Sequence, residues 1–204
     1  AVIALGALIV AINGVIITMF HVNAFIATLG TSLIMRGALN ATFDNYAGDV
    51  PDQFQALGYD TLLGVPWSVF LLLAIVAAGW WILRYTRWGH HLYAVGESEE
   101  TARLSGVRSA RVLIVAHVIC SVTATITGLF IISRLSAGAP WVGPDGNYDL
   151  ESIAAVVLGG TALAGGRGGV LGTFAGVLIL ALLDNAFNQL EINTFLKDVV
   201  RGTI

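Results

Sequence analysis

Residues 66–86 read PWSVFLLLAIVAAGWWILRYT, an apolar run with no charge before Arg84. A hydrocarbon core of about 30 Å takes about 20 apolar residues in helix, so this stretch has the length and composition of one membrane span. Pro66 opens it, where a missing N–H costs a helix nothing. Trp67 stands at one end and Trp80, Trp81 and Trp88 at the other, the places an aromatic belt takes at the two interfaces. Its flanks give it a direction. Five of the ten basic residues, Arg84, Arg87, Arg103, Arg108 and Arg111, fall in one loop, which the positive-inside rule places in the cytoplasm. Residues 43–65 hold Asp44, Asp49, Asp52 and Asp60 with no Lys or Arg and suit the outer face. The span runs inward.

Working outward, runs 1–20, 111–134 and 169–187 have the same character. Residues 24–42 match in length but carry Arg36, and 195–204 reads as the start of a further span. Alternation sends 1–20 inward, 24–42 outward and 111–134 outward, which leaves 135–150 external. That loop is turn-rich, with Gly138, Pro140, Trp141, Gly143, Pro144, Asp145 and Gly146. Residues 151–163 suffice only for a short, tilted or re-entrant helix. If they cross, Arg167 is cytoplasmic and 169–187 runs outward; if they dip in and return, everything after them inverts. A faint repeat favours crossing: at an offset of 170, Gly6, Leu8, Ile9, Ala11, Asn23 and Phe25 recur as Gly176, Leu178, Ile179, Ala181, Asn193 and Phe195. Opposite orientation of the two copies is the inverted repeat of many transporters.

The 204 residues are 56% hydrophobic and 11% charged, against about a quarter charged in soluble domains. That composition excludes an ordinary soluble fold, and a net charge of −3 offers nucleic acid no basic surface. Cys120 alone makes no disulfide or metal framework. His90 and His91 are adjacent, do not share a helix face and read as interfacial anchors, so no metal site is expected. The start at Ala1 without Met and the end inside an apolar run suggest a single transmembrane domain, 1–204, truncated at both ends. The first apolar run shows neither a basic n-region nor a small-residue cleavage site after it, so residues 1–20 are not expected to be a signal peptide.

Within the basic loop, 87–110, Ser98 can cap a helix whose first turn carries Glu99 and Glu100 against the positive dipole end, and Gly106 can terminate it. This two-turn helix is either a solvated connector or a rigid knob for a partner's groove.

The stretch Gly96-Glu97-Ser98-Glu99-Glu100-Thr101-Ala102-Arg103-Leu104-Ser105-Gly106 resembles the Glu-Ala-Ala-x-x-x-Gly loop by which permeases of ATP-binding-cassette (ABC) importers engage their ATPase subunits. The wider chain is similar to the ribose/xylose-type monosaccharide permeases, within the branched-chain amino-acid and sugar permease superfamily. Two further blocks carry the likeness: Phe25 to Gly30 with Arg36-Gly37, and Ile153 to Thr161 through Gly165-Gly166-Arg167-Gly168. Thr101 departs from the usual Ala, the Ile-x-Leu-Pro tail is absent after Gly106, His21 replaces a basic residue, and Asp184 stands where Asn is common. The resemblance implies an all-α polytopic bundle with an inverted repeat, a fragment of a roughly ten-helix permease. It implies ATPase coupling through Gly96, Glu97, Glu100, Ala102, Arg103 and Gly106. The implied partners are an ABC ATPase subunit that hydrolyses ATP, a periplasmic or extracellular sugar-binding protein, a second permease subunit and the lipid bilayer. The implied location is a bacterial inner membrane. No cofactor is expected on this chain and no catalytic residue is needed, because coupling ATP to helix rearrangement is a matter of differential stability.

Sugars are recognised through hydroxyls, which call for neutral donors and acceptors. Asn13, Asn23, Thr28, Thr31 and Asn40 on or beside the first two runs, and Asp184 with Asn188 at i, i+4, supply candidates. Arg36 costs roughly 2.5–3.5 kcal/mol at a helix centre and so snorkels outward or lines a path. With Phe25 from the matching block, the translocation-path set is Asn13, Asn23, Phe25, Thr28, Thr31, Arg36, Asp184 and Asn188, each also able to serve as a plain helix–helix contact. Gly159-Gly160-Thr161 and Gly165-Gly166-Arg167 lack the Gly-Lys-Ser/Thr ending of a phosphate loop. Gly159, Gly160, Thr161, Gly165, Gly172 and Gly176 are therefore assigned to close helix packing. Rival readings are a branched-chain amino-acid or nucleoside permease, an ion-coupled secondary transporter, for which Asp184 lies too near a helix end, and a membrane scaffold.

Overall fold

The computed structural model describes residues 2–20, 22–43, 45, 46, 48, 50–62, 64–142, 148–191 and 199. In chain order the helices are α1 (Val2–Phe20), α2 (Ala24–Thr42), α3 (Asp52–Tyr59), α4 (Trp67–Tyr85), α5 (Arg87–Glu97), α6 (Glu99–Leu104), α7 (Ser109–Leu135), α8 (Tyr148–Leu158) and α9 (Val170–Gln189). A two-residue antiparallel pair, β1 (Thr61–Leu62) with β2 (Val65–Pro66), leads into α4. Pro66 is the residue before the helix, not its first.

Among the described residues α1, α4, α7 and α9 are each long and apolar enough to cross a membrane. α2 matches α1 in length but carries Arg36 and Asn40, and falls short on apolarity. The apolar side chains of these helices face outward: Leu5 is 59% exposed, Ile34 73% and Leu182 69%. So continuous an apolar surface needs a hydrocarbon environment, and helices leave no backbone donor unpaired in it. The fold is an all-α, multi-pass membrane bundle.

Contacts fix the direction of each helix. Opposite α7, Gly14 of α1 meets Ile114 and Gly6 meets Thr125, so α1 and α7 are antiparallel. The N-terminus of α7 joins the Arg-rich loop, the basic end of the bundle. Its C-terminus lies at the acidic end, capped by α3: the Ser133 hydroxyl, wholly buried, donates to the Phe54 carbonyl at 2.8 Å, and the Tyr59 hydroxyl to the Arg134 carbonyl at 2.7 Å. Leu39 of α2 and Phe43 just after it, Leu135 of α7 and Tyr148 of α8 line one cavity, which puts the end of α2 and the start of α8 there too.

α8 has 11 residues, about 16 Å of helix, and cannot cross alone. It ends in a Schellman turn: Gly160 has φ 84°, its N–H reaches the Val157 carbonyl and that of Thr161 reaches Val156. The chain then continues to the basic end, where Gly165 and Gly166 meet Gly96 and Glu97. Helix and glycine-rich loop together lead from the acidic end to the basic end, where Arg167 lies, and α9 returns toward the acidic end. α1 and α9, the helices holding Gly6 to Ala11 and Gly176 to Ala181, therefore run in opposite directions. Asn193 and Phe195 of that repeat, the run 195–204 apart from Val199, the Gly143 to Gly146 part of the turn-rich loop, His21, Asp44 and Asp49 lie outside the described residues.

Candidate coupling site and polar path

The basic loop folds as two short helices hinged at one residue. The Thr86 hydroxyl accepts from the Gly89 N–H at 3.1 Å and caps α5. Ser98 closes one helix and opens the next: its N–H donates to the Ala94 carbonyl, and its Oγ accepts from the Thr101 N–H at 3.2 Å. Glu99 and Glu100 occupy the first turn of α6 and Arg103 the last, each charge opposed to its end of the helix dipole. The exit is a second Schellman turn, with Gly106 N–H to the Arg103 carbonyl and Val107 N–H to the Ala102 carbonyl, both 3.0 Å, and Gly106 at φ 85°.

A six-residue helix does not persist in water on propensity alone. Here it is pinned by a small core of Val95 from α5, Ala102 from α6 and Val112 from α7, with Leu92, Val107 and Leu113 against it. Ala102 is 4% exposed; a larger side chain there would lift α6 off its support. On the outward face Glu100 and Arg103 are exposed, and Leu104 is 81% exposed. Gly96 and Glu97 do not share that face. They end α5 and meet the loop after α8: a Cβ on Gly96 would lie 2.7 Å from the Gly166 nitrogen, and the Glu97 side chain covers Gly166. The Tyr93 hydroxyl donates to the Gly168 carbonyl at 2.9 Å, alongside these contacts.

The polar residues of the spans fall at three levels. Toward the basic end, the Asn23 side chain accepts from the Phe25 N–H at 2.9 Å and caps α2, and the Thr28 hydroxyl donates to the Ala24 carbonyl at 2.9 Å; Phe25 itself is exposed. Deeper in the bundle, Asn13 is 5% exposed and its Oδ1 accepts from the Thr31 hydroxyl at 2.6 Å, joining α1 to α2. At the acidic end Arg36 pairs with Asp149 of α8 at 3.5 Å, both side chains more than a third exposed. Asp184, half-buried, and Asn188, exposed, lie in the last turns of α9. Asn13 and Thr31 are hydrogen-bonded to each other across helices. Of the packing glycines, Gly159 and Gly172 face each other so closely that a Cβ on either would strike the other's carbonyl oxygen, and Gly176 meets the Ala155 carbonyl. Gly160 forms the α8 turn, Thr161 packs on Gly168, and Gly165 sits on Gly96. Among the described residues no cluster of three His, Cys, Asp or Glu side chains could hold a metal ion.

Tyr93 and Asp149 were not singled out from sequence. The signal for α5 was present, since Trp88, Leu92 and Val95 recur at i, i+4 and i+7. The partners of Tyr93 and Asp149 lie far away in the chain, where no local pattern points.

Bundle and basic-end helix pair together define a multi-pass α-helical membrane protein with a rigid element projecting from one face. The chain belongs to the family described as branched-chain amino acid transport system / permease component, whose model matches residues 1–204. It is 38% identical over 213 residues to the ribose import permease protein RbsC of Escherichia coli (strain K12), covering 100% of this chain and 64% of that protein. It is 38% identical over 194 residues to the L-arabinose transport system permease protein AraH of the same strain, covering 95% of this chain and 58% of the relative. To the ribose import permease protein RbsC of Bacillus subtilis (strain 168) it is 35% identical over 201 residues, covering 94% and 60%. The chain thus spans less than two thirds of the length of these relatives. No solved structure matches it.

Proposed function

We propose that the chain is part of the membrane-spanning subunit of an ATP-driven monosaccharide importer in a bacterial inner membrane, with its basic end in the cytoplasm. Bond chemistry is left to an ABC ATPase subunit, an external binding protein delivers the sugar, and a second permease copy or paralogue completes the path. The observation that carries this reading is α6. It is capped at both ends, anchored through Ala102, and presents Glu100, Arg103 and Leu104 outward at the basic end. The relatives named for ribose and L-arabinose point to a pentose-sized cargo. The neutral pair Asn13–Thr31 suits hydroxyl recognition once helices part.

The test is uptake of labelled ribose and arabinose into liposomes holding the full-length parent protein, its ATPase and binding protein. Uptake that needs internal or external ATP on the ATPase side, and persists when ionophores collapse all ion gradients, supports the reading. Uptake driven by a proton or sodium gradient without ATP refutes it. A second reading, a branched-chain amino-acid carrier, draws on the family description itself; leucine uptake without pentose uptake would select it.

A further inference from the structure

We propose that the glycine-rich loop 159–169 is the element that receives the coupling stroke, and that Tyr93, Gly96 and Glu97 are the positioning residues that deliver it. This rests on the importer reading above and names how the movement of α6 reaches the membrane. α5 and α6 share Ser98 and one small core, so a push on α6 tilts α5 with it. The far side of α5 grips the loop at three places. Gly96 lies backbone to backbone on Gly165 and Gly166, the Glu97 side chain covers Gly166, and the Tyr93 hydroxyl holds the Gly168 carbonyl.

The loop is built to transmit displacement, not to absorb it. It is closed on itself by Ala162 N–H to the Arg167 carbonyl and by Gly165 N–H to the Ala162 carbonyl, both 3.0 Å, and Thr161 packs against Gly168. At its two ends it joins α8 and α9, which are locked to each other where Gly159 meets Gly172. Movement of the loop therefore moves the α8–α9 pair as a unit. α8 carries Asp149, paired with Arg36 of α2 at the acidic end, so the displacement reaches the opposite face. Left-handed backbone at Gly165 and Gly166, φ 91° and 75°, together with the close approach of Gly96, explains why glycines meet at this clasp: any side chain there would separate α5 from the loop.

The test uses the full-length parent with its ATPase and binding protein in liposomes, comparing wild type with Tyr93→Phe and Gly96→Ala. Co-purification of the ATPase, stimulated hydrolysis and sugar taken up per ATP are read separately. Tyr93→Phe, which lies outside the ATPase-coupling set, is expected to retain ATPase binding and hydrolysis. Uptake per ATP should fall about fivefold for Tyr93→Phe, the equivalent of one hydrogen bond, and further for Gly96→Ala. Hydrogen exchange of residues 159–169 in the wild type should change when the ATPase binds a non-hydrolysable ATP analogue, and Tyr93→Phe should lose that response. An unchanged exchange pattern in wild type, or uptake and hydrolysis falling in equal proportion, overturns the relay while leaving the importer reading in place. If no ATPase associates with wild type, the importer reading fails, and the relay with it.

Discussion

Replacing Gly106 by Ala isolates one physical effect. A Cβ at this position would meet nothing within 4 Å, so the substitution removes no contact and creates no clash. Its cost is confined to the backbone, because φ is 85° and an L-residue with a Cβ pays roughly 1–2 kcal/mol in the left-handed region. The whole of that cost falls on α6, whose exit turn is held by Gly106 N–H to Arg103 and Val107 N–H to Ala102. One to two kcal/mol corresponds to a roughly 5–30-fold rise in local opening. Hydrogen exchange of the Gly106 and Val107 amides should accelerate by that factor, with α4 and α9 unaffected. Asn tolerates the left-handed conformation better than Ala, so Gly106→Asn should recover most of the protection. Equal protection in wild type and Gly106→Ala, or Asn as disruptive as Ala, would refute the assignment of Gly106 as a conformational cap.

Ser98→Ala should loosen α6 at its other end by about 0.5–2 kcal/mol, read as faster exchange of the Thr101 amide, whose acceptor is the Ser98 hydroxyl. An unchanged Thr101 rate would rule out the cap. A double-mutant cycle of Asn13→Ala and Thr31→Val in detergent unfolding should give a coupling near 0.6 and at most about 1.7 kcal/mol, the range for hydrogen bonds between membrane helices; strict additivity would mean the 2.6 Å contact contributes nothing. Gly172→Leu places a side chain on the Gly159 carbonyl, a clash with backbone that no rotamer relieves, and should cost about 1–3 kcal/mol or more. Gly30→Ala, where a Cβ meets nothing within 4 Å, should be neutral or gain up to about 1 kcal/mol in helix propensity. A thermal shift assay that ranks the two the other way would contradict the packing of α8 on α9.

How much of this could be read from the chain alone follows from what each feature depends on. Spans 66–86, 111–134 and 169–187 are visible because a lipid-facing helix must be apolar on every side, a signal that needs no knowledge of neighbours. α6 was legible for the same reason: Ser98, Glu99, Glu100 and Gly106 act within one or two turns of backbone. α3 was not, since it is short, mixed in polarity and held by contact with Ser133 and Arg134, more than 70 residues on, and the two-residue strands of β1–β2 are too brief to show a period. Composition could not decide whether 151–163 crosses. The direction of the chain there depends on Gly165 and Gly166 meeting Gly96 and Glu97 at the basic end, a pairing that no local pattern encodes. The path set was the least legible part. Asn23 and Thr28 satisfy their own helix, whereas Asn13 and Thr31 bridge two helices, and residue type alone does not separate those roles.

The central claim is that residues 98–107 meet an ATPase subunit. The most direct measurement places a photo-crosslinking amino acid at Leu104, the most exposed apolar residue of α6, in the full-length protein within its native membrane. Illumination is predicted to yield an adduct with an ABC ATPase subunit, lost when Ala102→Asp lifts α6 from its core. Adducts with lipid alone, or an ATPase adduct that arises equally from a crosslinker at Ile34 on the exposed side of α2, would contradict it.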